Sequence, residues 1–189
     1  KKWILIGSLI IKTNKNKLVN RSVLVNPKGL IVSYYDKIHM YDAKLSKKEF
    51  YCESKTFSAG KKTKVVKLPW GKLGLSICYD LRFPNMFREM SKKGALFLSV
   101  PSAFTETTGK KHWHSLLKAR AIENYCYIFA PAQAGTHYNK RKTFGHSLII
   151  SPDGTIIKEL KKKVGVITAS INPKISNLLR KKIPSLNFN

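Results

Sequence analysis

Acidic residues are scarce in this chain of 189 residues: 10 Asp and Glu stand against 36 Lys and Arg. Any carboxylate chemistry must come from those ten positions, and none of them precedes Asp36. Cysteine is scarcer. Cys52, Cys78 and Cys126 are an odd number at spread positions with no CxxC pair, which excludes a disulfide-built scaffold and points to a reducing, cytoplasmic setting. No apolar run is long enough to cross a bilayer, so no membrane partner is expected. Lys1-Lys2 followed by Trp3 to Ile11 superficially looks like a leader. The run is short, lacks a small-residue cleavage site and flows into alternating sequence, so it reads as a core strand. There is no HExxH and no Cys–His cluster, and His112 and His114 point about 200° apart on one helix. The five histidines therefore suggest no metal site. Internal repeats, low-complexity tracts and linkers are missing too. The length suits one domain, residues 1–189, with a sizeable core.

What the chain has in excess is positive charge, formally +26. The excess is nearly all lysine, with only 6 Arg among the basic residues. Groove and phosphate recognition favours arginine forks. The lysines are also scattered, with short clusters at 61–64 and 161–163 rather than one stripe. Composition thus predicts salt-sensitive adhesion to polyanions and no specific nucleic-acid partner.

Alternating apolar residues predict strands over Trp3–Ile11, Ser22–Val25, Leu30–Tyr34, Val65–Leu68, Leu73–Ile77, Ala95–Val100, Tyr127–Ala130, Ser147–Ile150, Thr155–Leu160 and Val164–Ile171. Three pairs flank Pro-x-Gly turns, at Pro27, Pro69 and Pro152, which reads as hairpins because proline presets φ and glycine accepts positive φ. Helices are predicted over 84–93, 112–125 and 174–182. Trp113, Leu116, Leu117, Ala121 and Ile122 form the apolar stripe of the second. Hairpins mixed with helical crossovers imply a layered α/β or α+β domain.

The chemistry concentrates around Cys78, where a strand with one buried face runs into a turn ahead of Pro84. A thiol there is favoured as thiolate by a helix N-terminus and by Arg82; the plainer reading is a packed cysteine. Glu53 stands out among the carboxylates because it lies in a loop before Phe57 and Gly60. Lys37 lies just past a strand. A dyad of Cys78 with His39 or His146 is a further alternative.

Several stretches carry a family likeness. They are Asp36-Lys37-Ile38-His39-Met40-Tyr41-Asp42, Glu53 to Gly60, Ser76-Ile77-Cys78-Tyr79-Asp80-Leu81-Arg82-Phe83-Pro84, and Pro101 to Thr105. Gly109, His112-Trp113, Ala119 to Asn124, Gln133, Gly135, His137, Arg141 and Gly145-His146-Ser147 continue the match. Over essentially its whole length the chain resembles the nitrilase superfamily of carbon–nitrogen hydrolases, and within it the Nit branch of amidases. The resemblance implies a four-layer α–β–β–α sandwich that dimerises, with no metal and no cofactor. It implies hydrolysis of the glutamine-like amide of an α-keto or deaminated small molecule through a cysteine thioester. Cys78 would be the nucleophile. Lys37 and the Tyr79 backbone N–H would stabilise the oxyanion, and Glu53 would be the auxiliary glutamate. Arg82, Phe104 and Thr108 match positions lining the substrate pocket. The alternative for Arg82 is a structural ion pair with Asp80 or a bond to a loop carbonyl.

Three positions depart from the family pattern. Asp36 stands where a basic residue is usual and is expected to pair with Lys37 or lower the local potential. Asn85 replaces a glutamate. The general-base glutamate that comes before the lysine has no counterpart here, and there is no initiator methionine. The expectation is a domain lacking its first strand and helix, with exposed apolar sheet surface and low activity of its own.

Overall fold

The computed structural model describes residues 1–189 apart from Lys48, Asn139 and Asn189. The first three strands, β1 (Ile4–Lys12), β2 (Leu18–Val25) and β3 (Ile31–Asp36), form an antiparallel sheet in that order. A short pair follows, β4 (Asp42–Lys44) with β5 (Phe50–Cys52). The main sheet contains β6 (Lys64–Leu68), β7 (Gly71–Leu75), β8 (Ala95–Ser99) and β9 (Tyr127–Ala130). A second short pair, β10 (Ala134–Thr136) and β11 (Lys142–Phe144), precedes β12 (Ser147–Ile150) and β13 (Ile156–Leu160), which complete the main sheet. Its order is β13-β12-β9-β8-β7-β6, with β7, β8 and β9 mutually parallel and the other pairs antiparallel. Helices α1 (Pro84–Lys92) and α2 (Glu106–Asn124) are the crossovers between the parallel strands, and α3 (Lys174–Lys182) follows the sheet.

Local chemistry explains the boundaries. Pro84 takes the first position of α1, where its missing N–H costs nothing. Gly29 and Gly154 adopt φ of 83° and 86° in the predicted hairpin turns, and each donates its N–H across the turn, to Asn26 O and Ser151 O. Helix α2 begins six residues before the expected start, because Glu106 to Lys111 carry no apolar stripe to signal a helix. Its buried face comprises Gly109, Trp113, Leu117, Arg120, Ala121 and Asn124, while Ile122 is half-exposed.

Both faces of the main sheet are covered. Leu73, Gly74, Leu75, Ser76 and Ile77 are all buried, so the strand before Cys78 does not have the single buried face that its alternation suggested. Met90 of α1 packs over Gly74 on one side, and Leu5, Leu24 and Tyr35 of the three-stranded sheet join the same core. A parallel strand buried on both faces is the usual consequence of helical crossovers. The layers are therefore helices, main sheet and three-stranded sheet, a mixed α/β arrangement with three of the four expected layers among the described residues. The outer face of the three-stranded sheet presents Ile4, Ile6, Val32 and Tyr34 to solvent, so β1 is an edge strand with one open face rather than a core strand.

The expected strand at Val164–Ile171 does not form. Its apolar residues alternate, yet no ladder partner lies alongside it, and Val164 and Val166 are almost fully exposed. Among the described residues no helix is long and apolar enough to cross a membrane.

The packing predicts contrasting costs for two substitutions, read from urea midpoints. Leu98→Ala, at a fully buried position of β8, is expected to lose about 2–5 kcal/mol. Val32→Thr, on the open sheet face, is expected to stay within about 0.5 kcal/mol. Equal costs at the two sites would show that the sheet is not covered as described.

Candidate active site

The parallel strands β7, β8 and β9 all end at one edge of the sheet, and the residues that follow them line a shared cleft of about 1000 Å³. These are Ile77 and Cys78 after β7, Pro101 and Ser102 after β8, and Pro131 and Ala132 after β9. A crevice beyond the carboxyl ends of parallel strands is where such sheets place ligand sites. Lys37, after β3, and Glu53, after β5, form part of the same wall.

Cys78 opens a 3₁₀ turn, Cys78–Arg82, so the thiol lies at the head of that turn and not directly ahead of α1. Its φ is 49°, a left-handed conformation that non-glycine residues seldom adopt. The strain is held by two anchors: Cys78 N–H donates to Pro101 O at 3.0 Å, and Asp80 clamps the turn from below. Asp80 is completely buried. Its carboxylate accepts from Ile77 N–H at 2.8 Å, Tyr35 hydroxyl at 2.7 Å and His39 N–H at 3.1 Å, and His39 Nδ1 lies 2.7 Å away. The His39 ring stacks on Phe83 at 3.5 Å. Because His39 follows Lys37 by two residues, one carboxylate ties the thiol's turn to the lysine's loop. Burial and the neighbouring Asp80 push the Tyr35 hydroxyl far above its usual range, so it stays a neutral donor.

Lys37 is 3% exposed, and its Nζ lies 2.5 Å from Glu53 Oε2. The same oxygen accepts the Tyr41 N–H at 2.6 Å. Glu53 is therefore held as the lysine's partner. Among the described residues it is the carboxylate lining the cleft.

A narrower recess adjoins Cys78. Tyr79, Arg82, Phe104 and Thr108 line it, together with Tyr41 and Arg141. All seven residues singled out from sequence thus border one continuous depression. Arg82 does not pair with Asp80, which is saturated by other donors. Its guanidinium sits 5.1 Å from the Phe104 ring centre and 3.3 Å from His112 Nδ1. Thr108 Oγ1 is 2.8 Å from Thr105 Oγ1. Burial raises the Tyr41 hydroxyl above its ordinary range, leaving a neutral hydroxyl in the wall. Arg141 donates to Ala103 O at 2.5 Å and faces the Tyr51 ring. Tyr41 and Arg141 were not singled out as site residues, although both lie in the stretches that carry the family likeness, which was the signal that could have found them.

Two expectations are corrected. Asp36 does not pair with Lys37: it forms a two-pronged ion pair with Arg21, at 2.6 and 2.8 Å, across β2 and β3. Register decides this, since Arg21 and Asp36 are direct cross-strand partners while Lys37 turns inward. The Cys78–His dyad is absent as well. His39 is bound to Asp80 and His146 to Glu159, and neither lines the cleft or the recess.

The carbon-nitrogen hydrolase family profile matches residues 1–180, and this chain belongs to that family. Over 172 residues it is 46% identical to a deaminated glutathione amidase of Synechocystis, covering 90% of this chain and 63% of that protein. The chain therefore spans less than two thirds of that relative's length. The crystal structure of the C. elegans NitFhit protein superimposes with a TM-score of 0.92 at 37% identity, over 99% of this chain and 46% of that one. Saccharomyces cerevisiae Nit3, a member of branch 10 of the nitrilase superfamily, gives 0.86 at 30% identity, over 96% and 64%.

The Asp80 knot generates a stability prediction. Asp80→Asn presents an amide donor to groups that are themselves donors, and a broken buried network of this kind costs about 3–5 kcal/mol. Urea unfolding is expected to register a loss of that order. A change of less than about 1 kcal/mol would remove Asp80 as the anchor of the turn.

Proposed function

We propose that these residues form a single carbon–nitrogen hydrolase domain that cleaves the amide of a small carboxylate-bearing molecule through a Cys78 thioester. The observation that carries this reading is the convergence of Cys78, the buried Lys37–Glu53 pair and the Arg82 recess on one depression. The Cys78 sulfur attacks the amide carbonyl carbon. Negative charge develops on the carbonyl oxygen, and Lys37 together with the Tyr79 N–H receives it. The Tyr79 N–H lies in the first turn of the 3₁₀ segment, where backbone donors lack partners within the helix. Collapse of the adduct, with the thiol's proton passed to the departing nitrogen, breaks the C–N bond and leaves an acyl thioester; the amine released is ammonia from a primary amide and the cysteinyl-glycine dipeptide from a deaminated-glutathione-type amide. Water then releases the acid and restores the thiol. Glu53 fixes the position of Lys37, so the ammonium need not reorganise as charge develops. Arg82 supplies a planar fork for a substrate carboxylate, beside the apolar face of Phe104 and the hydroxyl of Thr108.

The relatives' name supports a deaminated-glutathione-like amide, a secondary γ-amide to cysteinyl-glycine in a molecule whose α-amino group is gone. An ω-amide of an α-keto acid is the neighbouring specificity. The domain acts as a homodimer in the cytoplasm in this reading, a setting that its three free cysteines suit. A second reading, slow turnover by these 189 residues alone, is favoured by one observation: among the described residues, the cleft's carboxylate is already engaged by Lys37 and the Tyr41 N–H. Loss of a proton acceptor typically costs about 10²–10⁴-fold.

The test measures amine release, cysteinyl-glycine from deaminated glutathione and ammonia from ω-amides, for the 189-residue chain and for the whole translation product of its gene. Release is expected from the latter, with acyl-enzyme mass on Cys78 trapped by rapid quenching. Cys78→Ala is expected to abolish it. Lys37→Met is expected to lower kcat about 10²–10³-fold, the scale for removing one oxyanion donor. Undiminished turnover by Cys78→Ala, or neither dipeptide nor ammonia released by the folded whole product, would sink the assignment.

A further inference from the structure

Away from the cleft, three side chains that are far apart in sequence meet between α2, the turn before β12, and β13. His114 Nε2 lies 3.1 Å from Glu159 Oε1, and His146 Nδ1 lies 2.5 Å from the same oxygen. The three donor atoms all fall within 4.8 Å of one another. None of these residues borders the Cys78 depression. The structure assigns a binding site for one borderline divalent transition ion, of the zinc class, to His114, His146 and Glu159.

The donor set selects the ion class. Two imidazoles and one carboxylate suit zinc, cobalt or nickel, whereas magnesium and calcium prefer oxygen throughout. Four-coordinate zinc with ligands near 2.0 Å places neighbouring donors about 3.3 Å apart. The carboxylate oxygen lies closer than that to both rings, at 3.1 and 2.5 Å, so a swing of Glu159 away from them opens the position. In coordination each neutral ring carries its hydrogen on the other nitrogen and gives its lone pair at Nε2 of His114 or Nδ1 of His146. Glu159 gives its charge, and water takes the fourth position.

The rings are held rigidly enough to act as ligands. Phe144 stacks on His146 at 4.1 Å and stands edge-on to His114 at 5.9 Å. His146 has a φ of 59°, and that backbone is fixed on both sides: its N–H donates to Lys161 O at 2.7 Å, and its carbonyl accepts the Trp113 indole N–H at 2.8 Å. Bound metal would fasten β13 and the β11–β12 turn to α2. Such an ion stabilises the folded chain by mass action.

The test is titration of the untagged, metal-stripped chain with Zn²⁺, and with Co²⁺ as a spectroscopic probe. One equivalent is expected to bind, with the visible d–d bands of four-coordinate cobalt and a rise in Tm with zinc. His114→Gln and Glu159→Gln, each checked for folding by near-ultraviolet circular dichroism, are expected to weaken binding at least about tenfold and to lose the Tm rise. Cys78→Ala is expected to retain both. Failure to bind one equivalent, binding unchanged in the His114 and Glu159 variants, or binding lost in Cys78→Ala would each overturn the assignment. Because the readouts are metal uptake and Tm, they stand apart from any amidase assay.

Discussion

The Asp80 carboxylate sits with no access to water, and the arrangement of the cleft depends on the donors that surround it. Removing a charge from solvent is costly unless hydrogen bonds replace hydration. Here the replacements come from three segments: Ile77 in the approach to the turn, Tyr35 at the end of β3, and His39 beyond Lys37. Satisfying the carboxylate therefore forces the second sheet and the main sheet into one register. The same constraint leaves Cys78 in a left-handed conformation, a cost that a free turn would relax. Pro101 O, which takes the Cys78 N–H, ties the turn to the next parallel strand as well.

Lys37 shows the complementary arrangement. A nearly buried ammonium is tolerable only when paired, and Glu53 supplies the charge while the Tyr41 N–H takes up further capacity of the same oxygen. In the proposed mechanism this pairing preorganises the site for a developing negative charge, because the lysine is already desolvated and held. The short β4–β5 pair exists in this context to present Glu53: its register sets Asp42 against Cys52, and the Glu53 N–H returns to Tyr41 O.

Much of this was legible in the sequence because the strands and helices near the site carry strong local signals. Pro84, the Pro-x-Gly turns and the Trp113 stripe each act within a few residues. The strand runs at Tyr127–Ala130 and Ser147–Ile150 coincide with β9 and β12 for the same reason. The β4–β5 and β10–β11 pairs were not legible, since three-residue strands have too few positions to alternate. Val164–Ile171 failed in the opposite sense, having the pattern without a partner. Whether Asp36 would choose Lys37 or Arg21 also depended on register, which a one-dimensional reading does not contain. The histidines illustrate the limit most directly. His114 and His146 are 32 positions apart, so no spacing rule could join them, and only the packing of β13 against α2 brings Glu159 between them.

The chain's charge and the charge of its cleft are separate matters. A formal +26 spread over the surface attracts anions at long range, and salt screens it over about 10 Å at 0.1 M. Within the depression the balance is local: Lys37 is neutralised by Glu53, which leaves Arg82 and Arg141 as the cationic groups at the recess. Both are planar forks, and both are oriented by neighbours, Arg82 by His112 and Phe104 and Arg141 by Ala103 O and Tyr51. For Arg82 those neighbours are a histidine nitrogen and an aromatic face, neither of which carries a negative charge. On the proposed function, the surface lysines set how fast an anionic substrate arrives, and Arg82 sets which way round it sits. In that reading the reacting carbonyl meets Lys37 in the cleft that Cys78 also borders. The same proposal calls for a substrate with its carboxylate and its amide at opposite ends, because Arg82 lines the recess, Lys37 lines the cleft, and Cys78 is common to both.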